Sequence, residues 1–221
     1  MIHWFKRKEY PDFWHRYKSH FKSFNKPDLE NTRFIVFDTE TTGLNVVNDR
    51  ILSIGAVAVK NNFIDVSDSF EIYLNQEKYN ATTVEIHGIL KEGKLIKADE
   101  GDAVVKFLEY IKESVLVAHH TAFDMAMINE ALKRMKLPKL KNRSIDTGYL
   151  FKKLNNDTTE NKHYALDELC VNFNIPMHDR HTATGDAFIT ALLFLKLKKQ
   201  LLAKGFTLHD FFIKSPKRGL L

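Results

Sequence analysis

Phe34-Ile35-Val36-Phe37 is apolar at four consecutive positions and runs directly into Asp38-Thr39-Glu40. Apolar residues at both parities of a short run require a strand covered on both faces, which means a central strand of a layered domain. Side chains i and i+2 share a face, so Asp38 and Glu40 project together from the end of that strand. Two carboxylates held side by side resist ionising together, and a divalent cation is the leading partner for such a pair. Alone, a D-x-E tripeptide reads as two solvated acids. The choice depends on whether further carboxylates converge from elsewhere in the chain.

The surrounding pattern predicts how they could. Strands are expected over Thr32–Asp38 and Ile51–Val59, joined to a third by an Asn61-Asn62 hairpin turn, with Phe70, Ile72 and Leu74 alternating inward. Val104, Phe107, Leu108 and Ile111 form a helical stripe, Val115–Ala118 a short buried strand, and Thr121–Met135 a helix. Ser144-Ile145-Asp146 ends another strand, and helices follow over Tyr164–Asn172 and Asp186–Ala203. A meander followed by alternating helices and strands indicates an α/β layered domain with a mixed sheet.

Two more acids sit on buried stripes of that pattern. Asp124 lies one turn before Ile128, and Asp186 heads the series Ile189, Leu193 and Leu197. Each alone is compatible with an acid stabilising a helix N-terminus. Asp146 is either a fifth acid near the site or the cap of the helix starting near Gly148, and capping is the expectation. His181 precedes Asp186 by five residues in a loop rich in small residues. An imidazole with an ordinary pKa of about 6.5 suits general-base work beside a cation-activated water. His178 and His181 lack the companions of a zinc site.

The charge is unevenly spread. Residues 1–27 carry net +5 and residues 196–221 net +6, leaving net −6 on residues 28–195 of a chain whose total is +5. An acidic body binds a polyanion only where cations and basic ends supply the attraction. Trp14, Tyr17, Phe21 and Phe24 make an aromatic stripe on a basic N-terminal helix, with Pro11 at its first position. The organisation expected is an N-terminal arm over 1–28, a main domain over 29–205 and a short basic tail over 206–221, too short for a second, polymerase-binding domain. Cys170 is the single cysteine, which excludes an intrachain disulfide and points to a reducing, cytoplasmic setting. No window has the length of a membrane span.

Taken in order, the set is D-x-E, then D, then H-x4-D. It is carried by Val36-Phe37-Asp38-Thr39-Glu40-Thr41-Thr42-Gly43-Leu44, Ile86-His87-Gly88-Ile89, Val117-Ala118-His119-His120-Thr121-Ala122-Phe123-Asp124 and His181-Thr182-Ala183-Thr184-Gly185-Asp186-Ala187. This resembles the DnaQ-like DEDDh 3′-5′ exonucleases, which include proofreading epsilon subunits of bacterial DNA polymerase III, over roughly residues 32–200. The resemblance implies a ribonuclease H-like fold, with a mixed five-stranded sheet flanked by helices. It also implies metal-dependent hydrolysis from the 3′ end of a nucleic-acid strand, releasing nucleoside 5′-monophosphates.

By the same resemblance, Asp38 bridges two divalent cations, Mg2+ or Mn2+, Glu40 and Asp186 ligate one each, and Asp124 acts through water. His181 is the implied general base. Thr41, Thr42, Gly43, Leu44, His87, His119 and Phe123 are the implied substrate-binding residues, with Leu44 wedged against the last base. His120 stands where the family usually has Asn. DNA 3′ ends are the expected substrate, for proofreading or repair, with a DNA polymerase as a partner. The alternatives are an RNA-trimming enzyme of the ribonuclease T or oligoribonuclease type, and a non-catalytic nucleic-acid or partner-binding module, which would be expected to have lost at least one acid.

Overall fold

The computed structural model describes residues 9–22, 28–29, 31–78, 81–90, 95–159 and 162–213, with the side chains of residues 81, 82 and 86 outside that description. Its frame is a sheet of β1 (Phe34–Thr41), β2 (Ile51–Lys60), β3 (Phe63–Leu74), β4 (Lys97–Ala98), β5 (Val115–Ala118) and β6 (Ser144–Asp146). The spatial order is β4-β3-β2-β1-β5-β6. The first three strands form the antiparallel meander, while β5 and β6 add parallel to β1, and β4 adds parallel to β3. The expected five-stranded sheet therefore has six strands. The extra one, β4, is two residues long, below what a periodicity argument can detect.

Asn61 and Asn62 both take left-handed φ, 49° and 66°, which is the two-residue turn that matches strand twist. Alternation along β1 sends its residues to two cores. Phe34 and Val36 join Val57, Val59, Val117, Ile145 and the helices α5 (Thr147–Leu154), α6 (Leu166–Asn172) and α7 (Ala183–Ala203). Ile35 and Phe37 join Ile54, Leu116 and the helices α3 (Glu100–Ile111) and α4 (Thr121–Arg134). The unbroken apolar run is thus explained by two covered faces.

Helix α1 (Asp12–Ser19) lies on the second core. Trp14 and Tyr17 are buried, at 1% and 2% exposure. The Tyr17 hydroxyl donates to Asn142 Oδ1 (2.7 Å) and accepts from the Lys141 amide (2.8 Å), so the helix is held by polar bonds as well as by rings. Pro11 is the N-cap, one position before the first helical residue. Phe21 lies in the turn after the helix, against the Tyr17 ring at 5.2 Å, and Phe24 lies outside the described residues. At the other end, a 3-10 turn over Leu208–Phe211 buries Leu208 and Phe211 in the first core. Part of the expected tail is therefore packed structure, and residues 214–221 lie outside the described residues. Among the described residues, no helix is long and apolar enough to cross a membrane.

Candidate active site

β1, β5 and β6 run parallel, so their C-terminal ends meet at one edge of the sheet. Open α/β sheets gather functional groups at that edge, because the loops and helix N-termini all open there. Asp38 and Glu40 reach it on β1. A register shift between Glu40 and Thr41 bends the strand as it leaves the ladder with β2, a device that re-aims side chains. Helix α7 brings in Asp186 from the face that Asp38 and Glu40 share. It starts three residues before the expected position, at Ala183, because the Thr182 hydroxyl caps it by accepting from the Gly185 amide (3.1 Å). A threonine directly before the helix, a preferred N-cap residue, carried that signal in the sequence.

Oxygens of Asp38, Glu40 and Asp186 lie within 4.8 Å of one another. The fourth acid arrives from the other face. Asp124, 4% exposed in the first turn of α4, accepts through Oδ1 from the Thr39 amide (3.1 Å) and the Thr39 hydroxyl (2.7 Å). Thr39 points to the α4 side because it lies between two residues that point to the α7 side. The carboxylates thus form a tight triad, with Asp124 tied behind it to the same strand.

Electrostatics make the cluster hungry for positive charge. Burial, then the charges of Asp124, Glu40 and Asp186, hold the Asp38 carboxyl well above the usual range. Burial, then Asp186, pushes Glu40 up to about 7. Burial also pushes Asp124 up to about 7, against the lowering effect of its bonds to Thr39. An all-oxygen donor set of this kind fits hard cations such as Mg2+ or Mn2+. Protons and cations then compete for the same oxygens. Mn2+ affinity measured by calorimetry is expected to weaken as the pH is lowered from 8 to 5, more steeply below 7 than above it. A pH-independent affinity over that range would contradict the cluster as the binding site.

One cation is already there within the chain. Arg180, in the loop between α6 and α7, donates from Nε to Asp167 Oδ1 (2.6 Å) and makes an ion pair through its Nη1 with Asp186 Oδ1. Burial opposes its charge, but the bonds to Asp167 and Asp186 outweigh that and raise its pKa. Nothing in the spacing of Asp167, Arg180 and Asp186 along the chain announced this bridge. His181 is exposed, takes a left-handed φ of 64°, and among the described residues makes no hydrogen bond or ion pair with Asp38, Glu40 or Asp186. The structure therefore brings together the four acids and leaves the histidine outside them.

The residues expected to meet a substrate divide by what their polar atoms already do. Thr41 donates to the Gly43 carbonyl (2.9 Å), and Thr42 donates to Asp49 Oδ1 (2.9 Å). Buried Asp49, which the sequence reading missed, also accepts from the Asn45 amide (2.9 Å) and from Lys78 Nζ (2.6 Å). A Cβ on Gly43 would lie 2.5 Å from Asp49 Oδ2, so the close approach of this loop requires glycine. The braced loop presents Leu44 at 85% exposure. Phe123 is half-buried on α4, against the second core.

His87, the last residue of α2 (Ala81–His87), is buried. Its Nδ1 accepts from the Ile89 amide (3.0 Å), and its Nε2 has no protein partner among the described residues. His119 is different, because both ring nitrogens are taken. Nε2 must donate to the Tyr164 carbonyl (2.7 Å), so Nδ1 of the neutral ring accepts from the Thr147 hydroxyl (2.8 Å). Burial, then His120, pushes His119 down to about 4, which keeps the ring neutral.

His120 caps α4 with φ 61° and ψ 44°. Asn and His are both enriched in that left-handed region, which explains why His serves where Asn is usual. The amide of Thr121 is satisfied instead by Asp146 Oδ2 (2.7 Å), while Asp146 Oδ1 accepts from the Tyr149 amide (2.9 Å). Asp146 thus caps α5, as expected, and also braces the start of α4.

The chain is similar to known nucleases in both sequence and shape. The family model described as Exonuclease (RNase_T) matches residues 35–194. The PolC-type DNA polymerase III of Bacillus subtilis is 38% identical over 184 residues, 82% of this chain and 12% of that polymerase. That of Bacillus cereus is 36% identical over 193 residues, 86% of this chain and 13% of that polymerase. The chain therefore corresponds to a small fraction of the length of these relatives. Among solved structures, Escherichia coli exonuclease I in complex with a dT13 oligonucleotide superposes with a TM-score of 0.68 at 15% identity, over 79% of this chain and 43% of that one. Cell-death related nuclease 4 gives 0.64 at 14% identity, over 80% and 65%. Those two likenesses speak to the fold.

Proposed function

Because the chain belongs to the RNase_T exonuclease family, we propose that it is a metal-dependent 3′-5′ exonuclease that trims single-stranded or frayed DNA ends. The observation that carries this reading is the convergence of Asp38, Glu40 and Asp186 within 4.8 Å, with Asp124 behind them. Two divalent cations held there supply Lewis-acid charge and a nucleophile at neutral pH. Asp38, Glu40 and Asp186 would hold the cations, with Asp38 as the shared ligand and Glu40 and Asp186 taking one each. Asp124 acts through water, and Thr39 sets its position. His181 takes the proton from the attacking water.

At the strand end, backbone of Thr41 to Leu44 meets the terminal nucleotide. Leu44 has the exposure to wedge against its base, on a loop stiffened by Asp49. The free Nε2 of buried His87 suits a polar contact in that pocket, and Phe123 forms a wall. His119 supports the pocket by holding β5 against α5, since its nitrogens are engaged. DNA as substrate and a DNA polymerase as partner are supported by the relatives, which are DNA polymerases III; a cytoplasmic setting is part of the same reading.

The test is cleavage of single strands labelled at the 5′ end, in DNA and in RNA, with and without Mg2+ or Mn2+. A metal-dependent ladder of shortened labelled DNA products is expected. A strong preference for RNA would replace DNA as the substrate, and absence of any metal-dependent cleavage would sink the enzyme reading. Replacing His181 by Ala is expected to lower kcat by about 10²–10⁴-fold, the span of general-base contributions, with Mn2+ affinity unchanged. Full activity in that variant would remove His181 from the mechanism.

A further inference from the structure

We propose that Arg180 is a positioning residue for His181, and that the two occupy the acidic cluster in turn. The inference rests on the metal-dependent reading of the site. Arg180 faces inward and spans Asp167 and Asp186, while its neighbour His181 is turned outward to solvent. Neighbouring side chains leave the backbone in different directions, so a segment that aims Arg180 at Asp186 aims His181 away.

The backbone around Arg180 is held in an uncommon shape. Asp179 and His181 both have left-handed φ, 56° and 64°, in residues that are not glycine. Such conformations persist only where the surroundings over-determine them. The restraints here are the Thr182 hydroxyl donating to the Asp179 carbonyl (2.8 Å), the approach of that carbonyl to Gly185 and the two acid contacts of Arg180. A Cβ on Gly185 would lie 2.0 Å from the Asp179 carbonyl oxygen, so the loop is folded tightly onto the start of α7.

The Arg180 guanidinium and a divalent ion compete for the charge of one carboxylate, Asp186, and repel each other across it. When Arg180 yields Asp186, it keeps Asp167 as its partner, half-exposed at the outer edge of the site. The segment loses one of its restraints, and rotation about Asp179 and His181 towards ordinary φ brings the imidazole round to the acids. Arg180 thus offsets part of the cluster's charge while no ion is held, and its departure couples ion arrival to placement of the base. An ion-paired arrangement populated at about nine-tenths would weaken the apparent metal affinity about tenfold.

Two measurements test this without assaying cleavage. In the unmodified protein, addition of Mg2+ followed by NMR should move the Arg180 Nε–Hε and the His181 ring resonances together, with one midpoint equal to the calorimetric Kd. In Arg180→Gln, the Mg2+ Kd should tighten at least about tenfold, and the metal-free His181 resonance should already lie towards its Mg2+-saturated position. Tighter binding with an unmoved His181 resonance would show simple charge relief and overturn the coupling. An Arg180 resonance that stays in place through Mg2+ saturation would overturn it in the unmodified chain, whatever the variant's folding. No Mg2+ binding at all would remove the metal reading itself, and this inference with it.

Discussion

Asp38→Asn is expected to abolish cleavage while raising the thermal stability of the metal-free protein. Oxygens of Asp38, Glu40 and Asp186 lie within 4.8 Å of one another, so the substitution takes away one of the three carboxylates that would hold the cations. Metal-borne charge stabilisation is worth several kcal/mol in a transition state, and each factor of ten in rate is about 1.4 kcal/mol. A loss of at least about 10³-fold in kcat follows. The stability gain comes from the same crowding. Burial and three neighbouring acids raise the Asp38 carboxyl well above its unfolded value.

A raised carboxyl contributes stability below its unfolded pKa, and that contribution is lost as the pH rises through the folded pKa. At pH 8 in chelator, Glu40 and Asp124, each pushed up to about 7, are mostly ionised, so the wild type carries crowded negative charge that the substitution relieves. For a domain of this size, each kcal/mol relieved shifts Tm by about 2–4 °C. The gap between variant and wild type should narrow towards pH 5, where the wild-type acids are protonated, and reverse on adding Mg2+. A variant that melts lower than wild type in chelator at pH 8 would contradict the description of the cluster as destabilising in itself.

Gly55→Ala is expected to cost both stability and activity although Gly55 bears no functional group. Gly55 pairs with Asp38 across β1 and β2. The first turn of α7 crosses directly above it, so a Cβ there would lie 2.2 Å from Ala183 C and from Thr184 N. Those are backbone atoms and cannot rotate away. Overpacking typically costs 1–3 kcal/mol, occasionally more, and rigid backbone puts this case at roughly 3 kcal/mol. Relief requires the start of α7 to lift, and Asp186 moves with it. A displacement of about 1 Å at a reacting centre can cost about 10²-fold in rate, so kcat should fall by about that much beyond any unfolding.

Gly101→Ala is the control. Gly101 lies in α3, with only Met135 Cε near an added Cβ, at 3.9 Å. There Ala should stabilise by roughly 0.5–1 kcal/mol through helix propensity, with activity unchanged. Wild-type Tm and kcat in Gly55→Ala would mean that the helix–strand contact does not set the position of Asp186.

Much of the architecture was readable from pattern. The apolar run before Asp38 implied two covered faces, and two cores lie there. The Asn61-Asn62 turn, the buried strand at Val115–Ala118 and the capping by Asp146 follow from local chemistry that neighbouring residues supply. Less was readable where an element is too short to show a period, as at Lys97–Ala98, or where a chain segment expected to be tail folds back, as at Leu208–Phe211. Asp49 and Lys78 are separated by two strands, and their bond depends on how β3 leaves the sheet.

By itself, the sequence determined the inventory: four acids on inward-facing positions of a strand and two helices, because burial and periodicity are local properties of a chain. Tertiary structure alone decided how those acids are held. It set Asp186 beside Asp38 through a glycine beneath a helix, tied Asp124 behind them through Thr39, and placed Arg180 at the cluster with His181 turned away. The physical reason is that charge acts through distance in space. Residues that repel, pair or exclude one another at the site are far apart along the chain, or are neighbours whose directions only the folded backbone assigns.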